Sequence, residues 1–194
     1  MTKKKPGTDV RMPVTEAQGQ SPQVEVPGMA PSFPVVGIGA SAGGIAAFEA
    51  FFSAMPADEP SGMAFVLVQH LSPHHPSVLV ELVRRYTRMR VFEAAHGMRL
   101  EPNCTYVIPP RHDLEIVDGA LHLTTHDEER KPRLTIDHFF FSLARTQNER
   151  AICIVMSGTG SDGTLGLRAV KGEGGLAIAQ APDTTEYDGM PSSA

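Results

Sequence analysis

The sequence is poor in cysteine and has no long hydrophobic run. Cys104 and Cys153 are the only two cysteines among 194 residues, and each stands in an apolar, strand-like stretch. Isolated thiols of this kind indicate reduced core side chains, not a disulfide framework or a metal site. No apolar run is long enough to cross a bilayer, and the first residues lack the apolar core of a signal peptide. We therefore expect a cytoplasmic protein without direct membrane insertion.

A strong positive charge is missing as well. The formal net charge is -5, and no stripe of Lys and Arg follows a helical spacing. Nucleic-acid binders concentrate positive charge on one face, so nucleic acid is not an expected partner. The apolar fraction of 41% is that of an ordinary globular protein, and the length suits one domain.

Residues 1–31 have no periodic apolar pattern and are rich in Pro, Gly, Gln, Ser and charged residues. This composition predicts a disordered leader, followed by a single domain over residues 32–194.

Beyond the leader, short apolar runs alternate with helical patterns. Strands are predicted at 34–39, 63–68, 105–108, 151–156 and 176–179, and helices at 45–55, 77–86, 136–147 and 164–171. Residues 114–124 form a predicted hairpin around Asp118-Gly119, and Asp137 or Thr135 is the expected cap of the third helix. The fold class is α/β: a doubly wound, mostly parallel sheet with helices on both faces and an antiparallel hairpin at one side.

Ligand sites in such sheets lie beyond the carboxyl ends of the strands, and the first strand ends in the G-x-S-x-G pattern Gly39–Gly43. That pattern places a serine, Ser41, on a sharp turn between a strand and a helix, where the helix N-terminus can stabilise an oxyanion. Two alternatives compete with a nucleophilic role. A lone serine before a helix is most often its N-cap, and a glycine-rich turn also occurs in dinucleotide-binding loops.

The end of the second strand bears on the dinucleotide alternative. A dinucleotide site requires Asp or Glu there to bind the ribose, but this strand ends in Val68-Gln69-His70. His70 could instead accept a proton from the Ser41 hydroxyl. Metal binding by His70, His74 and His75 is disfavoured, because Pro73 and Pro76 break the helix that would align the imidazoles.

The third strand of the predicted parallel set is followed by a glycine-rich turn that contains Asp162. An aspartate just before a helix is commonly only a cap. A serine, a histidine and an aspartate at three neighbouring strand ends are, however, the set that nucleophilic acyl transfer requires. The order Ser, His, Asp along the chain differs from that of the α/β-hydrolases, which disfavours a lipase-type fold.

The sequence resembles the bacterial chemoreceptor glutamate methylesterases, the CheB family, from about Phe33 to its end. The motifs that carry the resemblance occur in order at Gly37–Gly44, Val68–His70, Tyr106–Pro110, Ser157–Gly163, Ala179-Gln180 and Tyr187–Pro191. The residues in these motifs most resemble those of the esterase domain at the N-terminus of larger esterase–methyltransferase fusion proteins.

The resemblance implies hydrolysis of glutamate γ-methyl esters on the helical bundles of chemoreceptors, with glutamine deamidation as a second activity in some members. It implies Ser41 as nucleophile, His70 as general base, Asp162 as orienting acid and the backbone N–H of Thr159 as an oxyanion donor. No cofactor and no metal is implied. The expected partners are a methylated chemoreceptor and a fused or separate methyltransferase.

The chain also departs from the family pattern. Ala42 stands where well-studied members carry Thr, and Thr159 stands where they carry Met. The leader is too short for the usual phosphorylatable receiver domain, and the chain stops where the family continues into a final helix and strand. We therefore expect a fragment truncated at its C-terminus. A catalytically weak or inert signalling module of the same fold and a small-molecule esterase are the alternative functions.

Overall fold

In the computed structural model, residues 31–56, 59–69, 76–125 and 134–194 are described, together with Met1. The predicted leader lies almost entirely outside these residues. The strands are β1 (Val35–Ala40), β2 (Ala64–Gln69), β3 (Arg90–Glu93), β4 (Cys104–Val107), β5 (His112–Val117), β6 (Ala120–Thr125), β7 (Ala151–Val155) and β8 (Leu176–Ala179). The helices are α1 (Gly44–Ser53), α2 (Pro76–Tyr86), α3 (Thr135–Gln147), α4 (Thr164–Gly172) and α5 (Gly189–Ser193).

Six of the strands form one parallel sheet in the order β3-β4-β2-β1-β7-β8. β1 is central, and all six of its residues are buried, as expected for a parallel strand with both faces covered. Its neighbours are β2 on one side and β7 on the other. The three strand ends that the sequence singled out are therefore adjacent.

Helices cover both faces of this sheet, which confirms the predicted fold class. On one face, Phe48 and Phe52 of α1 and Leu79 of α2 pack with Ile38 of β1. On the other face, aromatic residues of α3, among them Phe139 and Phe140, pack against the sheet and α4. None of the described helices combines the length and the apolar composition needed to span a bilayer.

The predicted hairpin is confirmed as a separate antiparallel pair, β5 with β6. Asp118 and Gly119 both have positive φ, 50° and 75°, as a tight two-residue hairpin turn requires. The pair packs on α3, and the buried N–H of Ile116 donates to the Ser142 hydroxyl at 3.1 Å.

Two elements were not predicted, and the expected cap of α3 is wrong. These are the strand β3 and the helix α5. Neither Thr135 nor Asp137 caps α3 with its own side chain. The first N–H groups of that helix are accepted instead by Asp162, which lies more than twenty residues further along the chain.

Candidate functional site

The turn after β1 carries Ser41 and leads directly into α1. Its tightness depends on Gly43, which has a φ of +72° and is the N-cap residue of α1. A methyl group at Gly43 would lie 2.5 Å from the Ser157 hydroxyl, so the position also lacks space for a side chain. Since Gly43 holds the cap position and α1 has no side-chain cap bond, Ser41 is not the helix cap.

Backbone and side-chain bonds connect this turn to the segment that follows β7. The N–H of Ser41 donates to the carbonyl of Ser157 at 3.0 Å. The buried Ser157 hydroxyl donates to the carbonyl of Ala42 at 2.9 Å and accepts the N–H of Tyr187 at 3.0 Å. Ser157 therefore holds the turn in position and joins it to the C-terminal segment.

The Ser41 side chain lies against the backbone of the glycine-rich turn after β7. A methyl group on Gly158 would be 3.1 Å from Cβ of Ser41. Thr159 follows directly and is exposed, and no described residue accepts its backbone N–H. This N–H is a donor of the kind that stabilises oxyanions.

His70, the predicted base, lies outside the described residues. The residue before it, Gln69, is the last of β2 and pairs in the sheet with Ala40, the residue before Ser41. The Gln69 amide donates to the Ser41 carbonyl at 3.2 Å, so the ends of β1 and β2 are joined at this edge.

Asp162 lies in the same loop as Thr159 and is buried, with 4% of its surface exposed. One carboxylate oxygen accepts the N–H of Ile136 at 3.0 Å, and the other accepts the N–H of Asp137 at 2.9 Å. These two N–H donors at the start of α3 hold the carboxylate in place. The aspartate is therefore a helix cap, although for α3 and not for α4.

Asp137 of α3 makes the corresponding bond to the start of α4. It lies in the first turn of α3, is 2% exposed, and accepts the N–H of Gly166, in the first turn of α4, at 2.7 Å. Burial raises the pKa of Asp137, the hydrogen bond from Gly166 opposes that rise, and the nearby charge of Asp162 adds to it. The start of α3 thus accepts a carboxylate from the loop before α4, and the start of α4 accepts a carboxylate from α3.

We predict that Asp137→Asn removes a pH-dependent loss of stability. Because the folded state raises the pKa of Asp137, its contribution is fully present below the ordinary value near 3.8 and is lost as pH rises through the folded value. An asparagine oxygen can still accept the N–H of Gly166. The free energy of unfolding of the wild type, relative to the variant, should fall in denaturant titrations as the pH rises from the ordinary pKa of 3.8 through the raised folded value. A pH-independent difference would contradict this assignment.

Ser41 opens onto a shallow cavity of about 490 Å³ at the carboxyl edge of the sheet. Besides the turn and the start of α1, its lining includes Glu49, Gln69 and Glu186. No group of three His, Cys, Asp or Glu side chains within the described ranges is placed to hold a metal ion.

Sequence reasoning missed the supporting roles of several residues. Ser157 and Gln180 lie within two of the motifs that carry the family resemblance. Nothing in their spacing, however, indicates that Gln180 accepts the N–H of Ser157 at 3.0 Å. Nothing in the sequence indicates that Asp137 accepts an N–H of α4. Glu186 had no signal at all, since a single exposed glutamate in a loop is unremarkable in a sequence.

Comparisons with known proteins agree on one family. A family model described as CheB methylesterase matches residues 36–194. A protein-glutamate methylesterase/protein-glutamine glutaminase of Burkholderia orbicola is 37% identical over 161 residues, which are 82% of this chain and 47% of that protein. An uncharacterized 104.1 kDa protein of Rhodobacter capsulatus is 41% identical over 116 residues, 60% of this chain and 12% of that protein.

The crystal structure of the Thermotoga maritima CheB methylesterase catalytic domain matches with a TM-score of 0.75 and 28% identity. The match covers 84% of this chain and 87% of that one. The chain spans less than half of the length of the two relatives described above.

Proposed function

The chain belongs to the CheB methylesterase family, and from this we propose that it is a protein-glutamate methylesterase that hydrolyses glutamate γ-methyl esters on bacterial chemoreceptors. The observation that carries the proposal is the turn of Ser41, which is matched by the family model and opens onto a cavity at the carboxyl edge of the sheet. The receptor helical bundle in the cytoplasm is the proposed partner. A fused or separate methyltransferase would supply the methyl ester.

In the proposed reaction, the Ser41 hydroxyl attacks the ester carbonyl while His70 takes its proton. The resulting oxyanion is stabilised by the backbone N–H of Thr159. Collapse of the intermediate breaks the bond to the methoxy group, which leaves as methanol with the proton from His70. Water then hydrolyses the acyl-serine by the same steps, which releases the glutamate carboxylate and restores the Ser41 hydroxyl.

The capping of α3 supports the role of Asp162 in this scheme. An orienting acid must stay ionised and keep its position while the histidine gains and loses a proton. Both Asp162 oxygens accept backbone N–H groups of α3, which restrains the position of the carboxylate.

Glutamine deamidation is a second candidate, because the Burkholderia relative is named as a glutaminase as well as a methylesterase. The same steps would apply with ammonia as the leaving group in place of methanol.

The proposal is tested by incubating the protein with methylated chemoreceptor and measuring released methanol, with ammonia release from the unmodified receptor as a parallel assay. A fluorophosphonate probe should label the protein, and peptide mapping should find the label on Ser41. Absence of both methanol and labelling would favour the inert signalling module. Hydrolysis of small soluble esters at rates that rival the receptor would favour a small-molecule esterase.

A further inference from the structure

A glutamate from the C-terminal segment lies against the start of α1. A methyl group on Gly43, the N-cap residue, would be 3.0 Å from Cβ of Glu186 and 3.1 Å from its carboxylate oxygen Oε2. The first turn of α1 carries no acidic residue and has no side-chain cap. The carboxylate of Glu186 is therefore the negative group beside the positive end of this helix.

The remaining lining of the Ser41 cavity strengthens this negative character. Glu49 of α1 is a second carboxylate in the wall, and none of the described residues that line the cavity is Lys or Arg. An anion that enters the cavity meets two like charges. A neutral ligand meets no such barrier.

The substrate and the product of the proposed reaction differ in charge. A glutamate γ-methyl ester is neutral, while the product is a carboxylate. A helix N-terminus attracts carboxylates, so the start of α1 would otherwise retain the product next to Ser41. The Glu186 carboxylate at the same helix end opposes that binding.

We propose that Glu186 is a specificity-determining residue whose carboxylate excludes ionised glutamate from the Ser41 cavity, so that the neutral ester binds in preference and the product leaves. This inference rests on the proposed methylesterase function. Glu49, which also lines the cavity, acts in the same direction.

The test compares how strongly two small ligands bind: N-acetyl-glutamate α-amide in its ionised form, and its γ-methyl ester. Titrations followed by the backbone N–H signals of Gly43 and Gly44 give both dissociation constants for the wild type, Glu186→Gln and Glu49→Gln. The ester is titrated into Ser41→Ala forms of each protein, so that it is not hydrolysed during the measurement. The same spectra report whether each variant is folded.

In Glu186→Gln, affinity for the carboxylate relative to the ester should rise by about three- to tenfold at low salt, as expected for removing one like charge near a protein surface. The gain should shrink at about 1 M salt, where exposed charges are screened. Glu49→Gln should give a smaller change of the same sign. Glu173→Gln, an exposed glutamate just beyond α4, is the matched control and should change neither constant.

An unchanged ratio in Glu186→Gln would overturn the inference. That outcome is distinct from failure of the proposed function, which would appear as a wild type that releases no methanol while the binding ratios remain measurable.

Discussion

Replacing Ser41 by alanine is expected to lower the rate of methanol release from methylated receptor by about 10³-fold or more, because the step that forms the acyl-enzyme is lost. The fold should persist. Ser41 contributes its backbone N–H and carbonyl to the turn, through Ser157 and Gln69, and alanine retains both groups. Thermal unfolding of the variant should therefore resemble that of the wild type.

Ser53→Ala is a matched control for this variant. Ser53 is an exposed serine at the last position of α1, the opposite end of the helix that follows Ser41. Its loss should leave methanol release unchanged. If the Ser41 variant kept more than a tenth of the wild-type rate, Ser41 could not be the nucleophile.

The second large effect is expected at Asp162. The two substitutions considered there should both lower activity but should differ in their effect on stability. Asp162→Ala removes both acceptors for the N–H groups of α3 and should cost about 2 kcal/mol of unfolding free energy. Asp162→Asn keeps one acceptor oxygen and should cost less. Both variants should lose activity strongly, by about 10⁴-fold for Asn by analogy with the aspartate of a serine-protease triad.

Denaturant unfolding and methanol release, measured on the same preparations, distinguish the two roles. A purely structural aspartate would give activity losses that follow the fraction of folded protein, so folded Asp162→Asn would remain active. A positioning role in catalysis predicts an Asn variant that is folded and inactive.

Local patterns were sufficient to predict five of the six strands of the parallel sheet. β1, β2 and β7 are short, buried apolar runs, and the turns that follow β1 and β7 contain glycines. Because parallel strands point in one direction, their carboxyl ends share one edge, and Ser41 and Asp162 could be assigned to that edge before any coordinates.

The sequence could not reveal features that depend on distant partners. β3 has four residues, of which only Val91 is buried, so its pattern is too weak to distinguish from a loop. The bond between Asp162 and α3 joins residues 25 and 26 positions apart, whereas capping rules consider only neighbours. Ser157 was missed for the same reason, since its hydroxyl bonds to Ala42, 115 positions away.

The reciprocal bonds between α3 and α4 have an evolutionary consequence. Asp162 accepts N–H groups at the start of α3, and Asp137 accepts an N–H at the start of α4. Because both helices depend on these bonds, natural selection would retain both aspartates even where hydrolysis no longer matters. Members of this fold that have lost the serine should therefore keep the aspartate. In a genome survey, an aspartate at this position would mark an intact scaffold, while the serine and histidine would be the informative markers of an active enzyme.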